Sequence, residues 1–296
     1  LPEAERPRHG RGLPEVPLSD TTSRPSATDP GYVLDPAWHA ERERLTSLTG
    51  LYDGTTLRLA DQLGLTAGWQ CVDVGAGTGT VAQRLADRVG PTGRVLAIDT
   101  DTRFLAPLAS EVLSVQTHDI TTQLLPEGQF DLVHARLLLE HLPGRDQVLR
   151  HLASALAPGG WLLIEDFDWA TAAVIDPPAP VHQRVTQACG RLLQAHGYDP
   201  HYGRRLPRSL RELGLTDVGT HAVAEQVDAD PVHGVPQWEL LIHQLSPGML
   251  AAGLVTQVDL DAFTDLLHDG RTVVFAPLMV SCWGRQPPVS ADDGMR

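Results

Sequence analysis

The stretch Val72-Asp73-Val74-Gly75-Ala76-Gly77-Thr78-Gly79-Thr80 constrains this chain more than any other. It closes an apolar run and opens an amphipathic one, so it reads as a turn from a strand into a helix. Glycine carries no Cβ and accepts positive φ, so the turn lets backbone approach a ligand closely. A dinucleotide fingerprint requires glycine at position 80, where Thr80 stands. Asp73, two residues before the first glycine, repels a phosphate and suits the ammonium of an amino-acid group.

Around this turn, short apolar runs alternate with longer amphipathic stretches. The runs Gln70–Val74, Arg94–Ile98, Ser114–Thr117, Phe130–His134 and Trp161–Glu165 predict strands. Val81–Val89, Thr102–Glu111 and Arg145–Leu156 have helical spacing, the last stopped by Ala157-Pro158-Gly159-Gly160. Right-handed crossovers then place helices on both faces and all strand C-termini on one edge. Upstream, 36–66 predicts two cover helices joined at Tyr52-Asp53-Gly54. Downstream, Val181–His196, Leu206–Leu213, Gln237–Leu245 and Leu260–Leu267 read as helices, and Val218–Val227 and Thr272–Trp283 as an antiparallel addition to the sheet. The expectation is an α/β, Rossmann-like, seven-stranded, mostly parallel sheet with an antiparallel last strand. A helical acceptor lid spans about 170–270. Residues 1–29, rich in Pro, Arg, Ser and Thr, read as a flexible leader before a single domain over 30–296.

Two more acids follow the next strands. Asp99 ends Val95-Leu96-Ala97-Ile98, where a carboxylate can accept from two vicinal ribose hydroxyls. Asp119 follows His118 past the third strand, where it can accept from an adenine amino group. Three acids at successive strand ends after a glycine turn fit an aminoacyl nucleoside.

The segments VDVGAGTGTVAQRLA, RVLAID, HDI, FDLVHARLLLEHLP and LAPGGWLLIEDFDW resemble the class I S-adenosylmethionine-dependent methyltransferases. The resemblance is closest to the ubiquinone-biosynthesis-like branch and its relatives in bacterial natural-product pathways. It covers about 30–170. It implies that S-adenosylmethionine is the cofactor, with Asp73, Gly75, Gly77 and Gly79 around its methionine part. Asp99 and Thr100 would take the ribose, and His118, Asp119 and Ile120 would flank the adenine. Ala135 and Arg136 would lie along the cofactor, with Tyr32 closing over it.

Methyl transfer from a sulfonium is an in-line displacement of a neutral thioether, so positioning and water exclusion dominate and no metal is required. Candidate bases at strand C-termini are His141, Asp166 and Asp168. Alternation along Glu165-Asp166-Phe167-Asp168 predicts that one acid is buried and another turned to the cleft. Trp169, His196, Tyr198, Tyr202 and Trp238 form a candidate aromatic acceptor pocket, which favours an indole- or phenol-type substrate.

Composition narrows the partners. The formal charge is −14, and all 23 basic residues are arginine. Such a surface repels nucleic acid unless a local cluster such as Arg204, Arg205, Arg208 and Arg211 overrides the mean. No apolar stretch reaches membrane-spanning length, so a cytoplasmic protein is expected, with a small-molecule substrate and no membrane partner. It is expected to be a monomer or homodimer, with the apolar helix near Trp238–Leu250 as the dimer contact. Rival readings are a cyclase or lyase on the same scaffold, a nicotinamide oxidoreductase, and a macromolecular methyltransferase.

Overall fold

The computed structural model describes residues 34, 38–172, 174–227 and 235–288. The expected leader and Tyr32 lie outside these residues. The elements in order are α1 (Glu41–Gln62), β1 (Gln70–Val74), α2 (Thr80–Val89), β2 (Arg94–Asp99), β3 (Leu113–Thr117), β4 (Phe130–Arg136), α3 (Arg145–Ser154) and β5 (Leu156–Asp168). Then follow β6 (Ile175–Asp176), α4 (Pro180–Ala195), α5 (Leu206–Glu212), β7 (Thr216–Val223), α6 (Val235–Ala251), α7 (Gln257–Leu267), β8 (Val273–Val274) and β9 (Leu278–Arg285).

Seven strands form one sheet in the order β3-β2-β1-β4-β5-β9-β7, and β6 pairs with β8 apart from it. Neighbours from β3 to β5 pair in parallel, whereas β9 runs antiparallel to both β5 and β7. The sheet is therefore mostly parallel with β9 reversed, as expected. The strand order reverses between β1 and β4, and in open α/β sheets ligands bind outside the C-terminal ends of the strands at such a point.

Strand alternation explains the two cores. Val72, Val74, Leu96, Ile98, Val133 and Ala135 face one side with α3 and α5. Cys71, Val95, Ala97, Leu132 and Leu163 face the other, under Leu59 and Ala60 of α1 and Val81, Ala82 and Leu85 of α2. A third apolar cluster lies among α4, α6 and α7, built on Val185, Cys189, Trp238, Ile242 and Phe263. A capping box from Thr256 and Asp259 starts α7.

Four local expectations change. The predicted pair of cover helices is one 22-residue helix, α1. Leu48, Tyr52, Thr56 and Leu59 are buried along one stripe of it, while Gly54 has open space, so the glycine needs no break. Thr102–Glu111 forms only a short 3₁₀ turn at Ala106–Leu108, with Pro107 inside it. Strand β5 begins at Leu156, and its register with β4 slips across the Pro-Gly-Gly segment. The apolar face of α6 is spent within the chain: Trp238, Leu241, Ile242, Leu245 and Met249 are buried against the lid core. Leu250 alone of the large apolar residues in Trp238–Leu250 is exposed, which leaves little for the expected dimer contact.

Candidate functional site

The glycine turn sits at the C-terminal end of β1. Gly75, Gly77 and Gly79 all have positive φ. The N–H groups of Gly75 and Ala76 donate to Ile98 O at 2.8 and 3.1 Å, which folds the turn onto β2. The glycines differ in what excludes a side chain. A Cβ at Gly79 would come within 2.6 Å of both Leu105 and Leu108, and one at Gly75 within 3.1 Å of Leu138. A Cβ at Gly77 would meet only Leu45, at 3.9 Å. Gly77 thus faces open room, and Gly79 serves packing.

Asp99 accepts the Gly77 N–H at 2.9 Å and the Asp101 N–H at 3.0 Å. Burial raises its carboxyl pKa, against the pull of those donors. Thr100 is exposed beside it. The N–H of His118 donates to Asp99 O at 2.9 Å, so the second and third acids are backbone neighbours. His118 is buried with its ring on Gln123 O, and burial lowers its pKa. Asp119 accepts from the Thr121 hydroxyl at 2.6 Å, and Ile120 packs in the core.

Asp73 is buried, and sequence reasoning missed its partners. His134 Nδ1 donates to Asp73 Oδ1 at 2.7 Å, and His134 Nε2 lies 3.2 Å from Glu165 Oε2. Glu165 also accepts from Ser281 at 2.5 Å and from Thr56 at 2.5 Å. Burial opposes a charged His134 ring, but Asp73 and Glu165 outweigh it and hold its pKa at about 9. Burial likewise opposes the Glu165 carboxylate, and His134 outweighs it, so that pKa falls. An available signal was the interruption of the apolar strand Leu132-Val133-His134-Ala135 by an imidazole, since a buried polar group requires a partner.

Arg136 donates to Asp53 Oδ1 at 2.6 Å and to Thr56 at 2.9 Å, tying β4 to α1. Ala135 is buried in the core on the far face. Leu137, next along the chain, has φ +53, a strained conformation for a residue with a branched side chain.

All three acids at the end of β5 are buried, contrary to the expected alternation of core and cleft. The shift has a cause for each: Glu165 enters the His134 network, Asp166 Oδ1 accepts the Leu138 N–H at 3.2 Å, and Asp168 is committed elsewhere. Asp168 is held by both Arg204 nitrogens, by His201 at 3.1 Å, and as a cap on Ala170 N–H at 3.0 Å. That geometry makes Asp168 a clamp between β5 and the segment before α5. Burial and the neighbouring Glu140 raise the Asp166 carboxyl well above the usual range. Burial, with Arg44 and Arg145, lowers His141 to about 3, so its ring is neutral at physiological pH.

The expected aromatic residues divide. Trp169 Nε1 donates to the Tyr198 hydroxyl at 2.6 Å, and the rings of Trp169 and Trp238 meet edge-on at 5.8 Å. His141 packs on Tyr198 at 4.8 Å. Tyr202, by contrast, is buried in the α3–α5 core, and His196 bonds back to Leu192 O at the end of α4. Tyr52 and Phe167, unforeseen as site residues, meet edge-on at 5.7 Å in a cluster with Leu48 and Met279. The arginine cluster is neutralised in part: Arg204 pairs with Asp168, Arg205 with Asp199, and Arg208 with Glu212.

Residues 72–162 match the methyltransferase domain family. The methyltransferase str3 of Strobilurus tenacellus is 31% identical over 211 residues, covering 71% of this chain and 75% of that protein. The chain belongs to the class I S-adenosylmethionine-dependent methyltransferases. Methyltransferase str2 of the same organism is 38% identical over 135 residues, 46% of this chain, so the match spans about half (49%) of that relative. Phosphoethanolamine N-methyltransferase 2 of Haemonchus contortus, solved with phosphomonomethylethanolamine and S-adenosylhomocysteine, shares the fold. Its TM-score is 0.55 at 14% identity, over 88% of this chain and 61% of that one. The methyltransferase fold accounts for the strand order and the reversed β9. Among the described residues, no helix is long and apolar enough to cross a membrane.

The residues present fit the cofactor of this methyltransferase family. Asp73 Oδ2 is buried with no hydrogen-bond partner among the described residues, an acceptor left over for an ammonium. No side chain caps the N-terminus of α2, whose first N–H groups are available to a carboxylate. Asp99, half-buried at the end of the adjacent strand β2, takes one backbone N–H on each oxygen and keeps lone pairs for ribose hydroxyls.

Proposed function

We propose that this chain transfers the methyl group of S-adenosylmethionine to a small, flat aromatic or heteroaromatic molecule. The observation that carries this reading is the aromatic group gathered where β5 ends. Tyr52 of α1 meets Phe167 of β5, and Trp169, just past β5, meets Tyr198 and Trp238 of the lid. Ring faces stack on flat acceptors and stabilise a methyl group carrying positive charge.

The cofactor, when bound, supplies an electrophilic methyl on a sulfonium. Asp73 would hold its ammonium, Asp99 and Thr100 its ribose, and Asp119 with His118 and Ile120 its adenine. Gly77 leaves room for close passage. Arg136 acts from a distance, by fixing α1 over the site. The protein's part is then orientation and exclusion of water. His141, neutral at physiological pH, is suited to accept a hydrogen bond from an acceptor hydroxyl or N–H but is too weak a base to hold a full proton. Asp166, buried with its Oδ1 on the Leu138 N–H, holds the backbone at the end of β4. An acceptor that reacts without prior deprotonation, or one already acidic, matches this equipment best.

The test is a panel of phenols, indoles, aliphatic amines and carboxylic acids incubated with protein and S-adenosylmethionine, read by mass for product and by release of S-adenosylhomocysteine. Methylation of phenols or indoles supports the proposal. Reaction of aliphatic amines or acids alone rejects the aromatic acceptor, and conversion of a substrate without S-adenosylhomocysteine release rejects methyl transfer.

A further inference from the structure

Asp73, His134 and Glu165 lie in a row across three adjacent strands, β1, β4 and β5, and Ser281 of β9 ends the row. All four side chains are buried. An acceptor count separates the two acids. Glu165 Oε1 takes the Ser281 hydroxyl, and Oε2 takes the Thr56 hydroxyl and the His134 ring, so both of its oxygens are occupied. Asp73 has Oδ1 on His134 and Oδ2 on nothing. The row therefore has one vacant acceptor, and it belongs to the residue two positions before the glycine turn.

A charge count gives the same result. Two carboxylates and one imidazolium leave one net negative charge in a buried place, and Arg136 does not cancel it because Asp53 already faces that guanidinium at 2.6 Å. A buried excess charge is unfavourable unless a partner arrives. One ammonium balances it.

Resting on the cofactor reading above, we propose that His134 is a positioning residue: its Nδ1–H fixes the Asp73 carboxylate so that Oδ2 presents to the ammonium of the bound cofactor, while Glu165 holds the ring from behind. Removing the Nδ1 donor lets the Asp73 carboxylate rotate, and the aminoacyl end of the cofactor loses its anchor. The adenosine end does not touch the row and keeps its affinity.

Two near-isosteres separate the ring nitrogens. In His134→Asn the amide nitrogen takes the place of Nδ1 and keeps the donor to Asp73. In His134→Gln it reaches the place of Nε2 and keeps only the Glu165 side. Calorimetry is run with S-adenosylhomocysteine, which carries the aminoacyl group, and with 5′-methylthioadenosine, which lacks it. We expect H134N to bind S-adenosylhomocysteine within about threefold of the native protein and H134Q at least about tenfold more weakly, the loss of one charge-assisted hydrogen bond. Both variants should bind 5′-methylthioadenosine like the native protein. Equal losses for the two variants, or a parallel loss for both ligands, overturn the proposal in favour of a purely structural row. Native protein is also followed by proton NMR of the imidazole N–H signals, which needs no variant to fold. The Nδ1 proton of His134 should shift on adding S-adenosylhomocysteine and stay put with 5′-methylthioadenosine, and the absence of that difference is equally fatal. If native protein binds neither ligand, the cofactor reading itself fails, a result distinct from these.

Discussion

Arg136 and Asp53 meet at 2.6 Å between the end of β4 and the middle of α1, with side-chain exposures of 10% and 20%. The same guanidinium donates to Thr56, which in turn donates to Glu165, so the cover helix is fastened to the acids beneath it. Asp53→Ala removes the partner of a mostly buried cation and should destabilise the protein by about 1–2 kcal/mol. Hydrogen exchange is the measurement that localises the effect: amides of α1 should lose protection while those of α3 and α5 keep it.

Glycines of one turn should respond differently to alanine. Gly79→Ala combines a φ of +78 with a Cβ placed 2.6 Å from Leu105 and Leu108. It should lower stability by about 1–3 kcal/mol. Gly77→Ala, at φ +56 with Leu45 at 3.9 Å, meets no such obstruction. It should lower stability by about 1 kcal/mol and weaken S-adenosylhomocysteine binding more than Gly79→Ala does, because the new methyl enters the room beside Asp99. Chemical denaturation and calorimetry on both variants check the pair.

Three buried groups tie stability to pH, with signs that differ. His134 rises from 6.5 unfolded to about 9 folded, so the folded state binds the extra proton between those values. Its contribution is present in full below pH 6.5, is lost as pH climbs through 9, and is on the order of 3 kcal/mol. The Glu140 carboxyl, which burial pushes from 4.5 up to about 8, acts in the window between those values, so its stabilising proton is lost as pH rises through 8 and regained on acidification. His182 has the opposite sign. It is buried with neither ring nitrogen hydrogen-bonded, and burial lowers it from 6.5 to about 4. The unfolded chain binds that proton first, so stability declines as pH drops below 6.5. His182→Leu should remove up to about 2 kcal/mol of the difference between pH 7 and pH 5, measured by urea titration at each pH.

Asp168 was legible as an acid at a strand end, and the structure gives it to Arg204, His201 and the Ala170 N–H. Asp168→Asn keeps the shape and loses the charge. It should destabilise the chain by about 1–3 kcal/mol and leave S-adenosylhomocysteine affinity within about twofold. A large loss of binding with unchanged stability would return Asp168 to the catalytic group.

What the sequence revealed, and what it hid, follows from the range of the forces involved. Asp73 and Asp99 were readable because strand period and glycine punctuation are local, and they put each acid at a defined strand end. The mostly parallel sheet followed from the alternation of strands and helices, and the antiparallel addition from the change of rhythm after Asp168. His134 was not picked out, because its partners come from 61 positions upstream and 31 downstream. Tyr202 was grouped with Tyr198 as an aromatic residue, although the three residues between them carry the two into different cores. Gly54 suggested a helix break, but burial of Tyr52 and Thr56 on one side of α1 outweighs a single exposed glycine, whose helical cost is about 1 kcal/mol.

Strand β9 lies between β5 and β7, although it follows both in the chain. While that slot is vacant, β7 and the outer edge of β5 lack their ladder partner, so both wait for a segment made after them. Ser281 arrives with the same strand and completes the coordination of Glu165. Assembly of the catalytic end is thereby deferred until this latecomer threads home, which favours slow, all-or-none maturation and leaves β5 and β7 as sticky edges in any nascent chain that stalls before it.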